Sequence, residues 1–337
     1  MYTMKVNIFQ YFIISVAAIS IACSCTKSSP DTPAAEAPSA IAFSNVTTKA
    51  TVSDLQTNGF GVWAFINNAK VSNELILNNA KVTYNSGAWE YSPLRYWVNE
   101  SVFTFLAAYP YSENNEGFTL DESNTSINLS LSETPAKKDY LIATNVTDTS
   151  VDGFSKTVNL QFSHALTSVS LNIWRDGGKH QNDDMRITKV TLSNIRKTGT
   201  YSSSTGWKPD NDKLTLEKIY EGGSNNIGAA IVKEDGALDP GGSIPAKPFD
   251  DMMLIPQTLD GNSPVSLKIQ YELKRQNAAD WETAELETVL PSVTWEPNRR
   301  YTYNVVLSSV TDITVYYIQT KVDPWGTPQV GGTVIIK

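Results

Sequence analysis

The chain has 337 residues, 41% of them hydrophobic, with 27 Lys and Arg against 35 Asp and Glu for a formal net charge of −8. That acidic balance argues against nucleic acid as a partner, because phosphate recognition needs clustered Lys and Arg. There are only two cysteines, Cys23 and Cys25, both near the start, so the long body after them must hold itself by its core and not by disulfides.

Lys5 precedes an apolar run, Phe12-Ile-Ile-Ser-Val-Ala-Ala-Ile-Ser-Ile-Ala22. A bilayer-spanning helix takes about 20 apolar residues, and this run is shorter and closes on small residues, which reads as a signal peptide over residues 1–24. The segment Ile21-Ala-Cys-Ser-Cys-Thr-Lys27 resembles the lipobox of bacterial lipoproteins, whose acylated cysteine becomes the first residue of the mature chain. The resemblance implies lipidation of Cys25, with Ala22 and Ser24 at the small positions; Cys23 is the alternative. An ordinary signal peptide with incidental cysteines is the plainer reading. Acyl chains contribute about 0.8 kcal/mol per buried CH₂, so two or three would anchor the protein firmly. Residues 25–40, rich in Ser, Pro, Ala and Thr, read as a flexible tether.

Beyond the tether, apolar residues recur every second position. Ile127-Asn-Leu-Ser-Leu131, Val158-Asn-Leu-Gln-Phe162, Val169-Ser-Leu-Asn-Ile173, Leu267-Lys-Ile-Gln-Tyr-Glu-Leu-Lys274 and Tyr301-Thr-Tyr-Asn-Val305 all alternate in this way. Each predicts a half-buried strand, and Gly, Asn, Asp and Pro between them predict turns. Helical patterning is scarce. Many short strands with one wet face predict an all-β fold of antiparallel sandwiches. The length predicts two such domains, 41–153 and 154–337, divided at the polar stretch Thr147-Asp-Thr-Ser-Val-Asp-Gly153. Ser202–Pro248, with its Gly and Asn runs, reads as an elaborated surface loop of the second domain.

Chemistry-bearing residues are few. Of the two histidines, His164 lies in a strand-like segment and reads as packed, and His180 reads as a solvated loop residue. No His or Cys spacing suits a metal, and neither a nucleophile elbow nor a phosphate loop occurs. Asp183-Asp184 and Asp250-Asp251 read as solvated charge, since neighbours on a strand point to opposite faces unless a loop reshapes them. Asp210-Asn-Asp212 is a weak calcium candidate. Among the eight tryptophans, Trp97 and Trp295 read as core. No catalysis and no cofactor are expected.

Taken in order, several segments resemble the fimbrillin-like family, the Bacteroides-type lipoproteins of type V pili. They are Ile41-Ala-Phe-Ser-Asn-Val-Thr-Thr-Lys-Ala-Thr51, Phe60-Gly-Val-Trp-Ala-Phe65, Trp89-Glu-Tyr-Ser-Pro-Leu-Arg-Tyr-Trp97, Phe103-Thr-Phe-Leu-Ala-Ala-Tyr-Pro110, Phe162-Ser-His-Ala-Leu166, Leu254-Ile-Pro-Gln257 and Trp295-Glu-Pro-Asn-Arg-Arg-Tyr-Thr-Tyr303.

The resemblance implies two transthyretin-like β-sandwich domains, an outer-membrane lipid anchor and assembly with other pilus subunits into a fimbrium used for adhesion. It also implies strand donation, in which a protease frees the first strand and a neighbour's extended segment fills the groove. Here the first strand is Ile41–Val46, the candidate cleavage lies at Lys49, and the donor lies within Ile313–Lys337. Lys49 departs from the arginine common in the family. The first arginine of the chain is Arg95, so an arginine-specific protease could not release the first strand alone. The end segment Gly331-Gly-Thr-Val-Ile-Ile-Lys337 reads equally as the last strand of its own sheet. The alternative function is a monomeric surface lipoprotein that binds a host glycan or host protein.

Overall fold

Alternation at period two becomes strands along the whole chain. The computed structural model describes residues 38–48, 52–113, 117–121, 126–178, 182–224, 227–233, 237–307, 316–324 and 333–336. Its first part runs β1 (Ala42–Thr48), α1 (Val52–Asn58), β2 (Phe60–Asn67), β3 (Glu74–Asn85), β4 (Ala88–Glu90), β5 (Val102–Tyr109), β6 (Thr119–Leu120), β7 (Ile127–Leu131), β8 (Leu141–Asp148) and β9 (Thr157–His164). The remainder runs β10 (Thr167–Asp176), β11 (Asp184–Arg196), β12 (Gly199–Ser202), β13 (Gly206–Pro209), β14 (Lys213–Ser224), β15 (Ala229–Val232), β16 (Leu238–Asp239), β17 (Ala246–Leu254), β18 (Gln257–Leu259), β19 (Ser266–Lys274), β20 (Glu282–Val289), β21 (Val293–Trp295), β22 (Arg299–Leu307), β23 (Tyr316–Pro324) and β24 (Thr333–Ile336). The predicted all-β fold is present, and α1 is the only helix among the described residues.

The first sheet has the order β1-β9-β8-β5-β2-β3-β4. Its inner face buries Val62, Ala64, Phe105, Ala107, Leu160 and Phe162 in one core. Alternate residues of the same strands, Trp63, Phe65, Leu106 and Ala108, pack on the other face against Ile127, Leu129, Tyr201 and Ile255. Both faces of β2 are therefore covered, which is why Phe60–Ile66 is one continuous buried run and not an alternation.

The second sheet centres on β10 and β22, and the third has the order β14-β11-β19-β20. They face each other across a core of Val169, Leu171, Ile187, Leu192, Leu267, Ile269, Tyr301 and Tyr303. A small cross-sheet, β13-β12-β7-β6, takes two strands from each part of the chain. Pairing is mostly antiparallel as expected, but β1–β9, β10–β15 and β10–β22 are parallel. Alternation within one strand carries no information about the direction of its partner.

Two expectations need correction. Ser202–Pro248 is not a loop, because it holds β13, β14, β15, β16 and the start of β17. Leu214, Leu216 and Tyr220 of β14 pack half-buried on the second core, a weak alternation hidden by the Gly and Asn runs around it. Asp183 is not solvated: it is 9% exposed, and its carboxylate accepts the Gln276 amide at 2.9 Å. The first sheet also extends past Gly153, since β9 pairs with both β1 and β8.

Candidate assembly interface

β1 begins where Ile41 and Phe43 turn inward, 1% and 5% exposed. Strict alternation would next bury position 45. Instead β1 carries one extra residue between Ser44, opposite Asn159, and Thr47, opposite Gln161. This bulge reverses the parity, so Val46 enters the core at 7% exposure. Burial of these three side chains contributes about 5–9 kcal/mol at ~1.5–3 kcal/mol each.

The Phe43 ring is the anchor. It meets Phe60, Tyr91 and Phe105 with centroids 6.5, 5.4 and 6.0 Å away, all edge to face. On one side β1 forms a parallel ladder with β9, and Ser44 Oγ donates to Asn159 Oδ1 at 3.2 Å. On the other side the chain near Arg95 clamps its start. The Ile41 amide donates to the Arg95 carbonyl at 2.8 Å, the Trp97 amide donates to the Ser39 carbonyl at 3.0 Å, and Ala40 bridges to Tyr96. Tyr91 Oη donates to the Ile41 carbonyl at 3.1 Å. Burial raises the Tyr91 phenol above its usual range, so it stays a donor at neutral pH. Without β1, the sheet would expose backbone groups on both sides of an aromatic groove.

At the other end of the chain, β23 pairs with β22 and β24 with β23. Thr333–Ile336 is thus the last strand of its own sheet in this structure.

The sequence pattern of the fimbrillin-like family matches residues 48–325. This chain belongs to the fimbrillin-like family. A fimbrial protein from Bacteroides vulgatus is similar in structure, with a TM-score of 0.60 at 18% identity over 85% of this chain and 99% of that one. A candidate cell adhesion protein from Bacteroides ovatus aligns with a TM-score of 0.48 at 18% identity, over 87% of this chain and 100% of that one. Another, from Bacteroides uniformis, aligns with a TM-score of 0.44 at 14% identity, over 85% and 96%. The first of these likenesses shows a shared fold. No curated protein sequence matches.

In this fimbrillin-like chain Cys23, Cys25, Lys49 and His180 lie outside the described residues. His164 ends β9, is 2% exposed, and has its Nδ1 2.8 Å from Asp139 Oδ2, a packed position as expected. Trp97 and Trp295 are core residues, also as expected. Asp210 accepts the Thr198 hydroxyl at 2.8 Å inside a hairpin. Asp250 and Asp251 do converge, against the expectation of opposite faces: Asp251 adopts a φ of 47° within a bulge of β17, and the Ser170 hydroxyl reaches Asp250 at 3.2 Å and Asp251 at 3.5 Å. Lys247 and Arg300 pair with them at 3.2 and 3.1 Å, which makes a structural knot. Sequence reasoning missed the Tyr91 and Arg95 clamp. Nothing local signals that Tyr91 reaches the Ile41 carbonyl, fifty residues away.

Proposed function

We propose that this chain is a fimbrial subunit of the bacterial cell surface that assembles by strand donation and contributes to adhesion. The observation that carries the reading is β1, a strand at the sheet edge that seats three apolar side chains and ends immediately before Lys49. Residues 1–24 direct export, Cys25 (or Cys23) carries the lipid that holds the precursor at the outer membrane, and residues 25–40 form the tether. Cleavage after Lys49 frees β1, and a neighbour's segment within Ile313–Lys337 enters the groove. The donor is drawn from β23 and β24, the last two strands on one side of the second sheet, with β24 at its edge. The gain of roughly 5–9 kcal/mol from refilled apolar positions precedes the ordering cost of the donor. The division between the two transthyretin-like domains, expected at residue 153, is here proposed to lie after β9, at Ala165-Leu166; the pairing of β9 with β1 and β8 supports this reading.

The test is the intact mass of the protein recovered from its native cell surface, together with gel mobility after mild heating. A chain starting at Ala50 and running as a ladder of polymers that collapses on boiling is expected. A lipidated, full-length monomer would sink the reading.

A further inference from the structure

Along the outer edge of β3 lies a cleft of about 760 Å³. β4 pairs with only Thr83–Asn85 of that edge, so the stretch Ile76–Lys81 borders the open space. Two features make the edge unsuited to an added strand. Asn79 adopts a φ of 47° where the pairing with β2 shifts register, and such bulges turn an edge away from pairing. Arg95 Nε already donates to the Ile76 carbonyl at 2.7 Å.

The cleft is a built feature. The Asn79 side chain fills the space left by Gly61, where an added β-carbon would stand 2.2 Å from its Oδ1. From there its Nδ2 donates to the Ser112 carbonyl at 2.8 Å, fixing the segment that carries Tyr111. The Tyr111 ring in turn holds the Lys81 ammonium 4.9 Å from its centroid.

Lys81 and Arg95 both line this space, and among the described residues neither has a carboxylate at ion-pairing distance. With the Glu90 carboxylate on the same lining, the cleft carries one net positive charge, opposite in sign to a chain whose net charge is −8. Asn78, Thr83 and Glu90, also on the lining, supply both donors and acceptors, the mixture that ring hydroxyls require. The volume lies in the range of small-ligand sites, about 300–1,000 Å³.

We propose that this cleft binds the carboxylated sugar of an acidic glycan. The sugar carboxylate lies between Lys81 and Arg95, and its hydroxyls meet Asn78, Thr83 and Glu90. The bulged edge disfavours an extended acidic peptide. The inference does not depend on strand donation, since the cleft belongs to the chain with β1 in place.

Calorimetric titration of the full chain in detergent tests it, with 3′-sialyllactose, digalacturonate and neutral lactose as probes. One or both acidic probes should bind, with lactose at least about tenfold weaker, the factor expected from losing a charge-assisted contact. Binding of sialyllactose alone identifies a sialylated glycan, and of digalacturonate alone a uronic-acid polymer. Lys81→Gln, at an exposed position, should weaken the acidic probe about tenfold with an unchanged melting temperature. Arg95→Lys, which keeps the charge and loses the fork, should weaken it less than Arg95→Gln does. Silence from both acidic probes, equal affinity for lactose, or unaltered affinity in Lys81→Gln overturns the proposal.

Discussion

At the scale of single residues, the tyrosines tie stability to alkaline pH. Tyr201 is 6% exposed, packed edge to face on Phe118 and tilted against Trp207, and burial pushes its phenol up to about 12. An unfolded tyrosine ionises near 10. Below pH ~10 both states keep the proton and the group's contribution is whole; between about 10 and 12 only the unfolded chain releases it, so stability falls as pH rises. Denaturant midpoints measured from pH 8 to 11.5 should therefore drop above pH ~10, and Tyr201→Phe should make that drop shallower. An identical slope in the variant would contradict the assignment. A second knot lies at Trp295, whose Nε1 donates to Tyr303 Oη at 2.8 Å with both side chains fully buried. Tyr303→Phe removes the acceptor and leaves the indole N–H without a partner. A loss of about 1–3 kcal/mol in equilibrium unfolding is expected, and an unchanged midpoint would mean that water replaces the phenol.

At the scale of elements, β1 is retained chiefly through Phe43. Replacing a buried Phe by Ala costs about 3–5 kcal/mol. If a specific protease site is placed at Lys49 and cut, β1 should stay bound in the wild type until strong denaturant or boiling. Phe43→Ala should release it at lower denaturant, as read by size exclusion followed by mass measurement; equal retention would show that Phe43 is not the anchor. The strands themselves were largely legible. Leu267–Lys274 alternates strictly, and β19 repeats that alternation in its burial. Ile127–Leu131 coincides with β7. What could not be read was pairing: the β1–β9 and β10–β22 ladders join residues far apart in sequence, and only tertiary packing makes them parallel. The inward turn of Val46 depends on the bulge opposite β9, and the convergence of Asp250 and Asp251 on the bulge of β17, so neither site detail was visible in composition.

At the scale of the whole molecule, the cross-sheet is the element most at odds with two independent halves. β7 pairs with β12, so Leu129 lies opposite Tyr201, and Ile255 closes the same core from a third direction. Trp207 Nε1 donates to the Ala165 carbonyl, at the point where the chain leaves the first sheet. Each side of this core belongs to a different part of the chain, so melting one part exposes the apolar face of the other. Unfolding should thus be a single calorimetric transition, although each large sheet has a core of its own. Leu129→Ala with Ile255→Ala removes two fully buried side chains of the shared core, each at a cost of about 2–5 kcal/mol. Neither residue belongs to the cores inside the two large sheets. The double variant should resolve two transitions, the structures on either side then melting at their own temperatures. A wild type that already melts in two steps would show the cross-sheet to be a contact without coupling; a double variant that melts in one step at a lower temperature would place the coupling elsewhere, and the short Ala165-Leu166 connection would be next to examine.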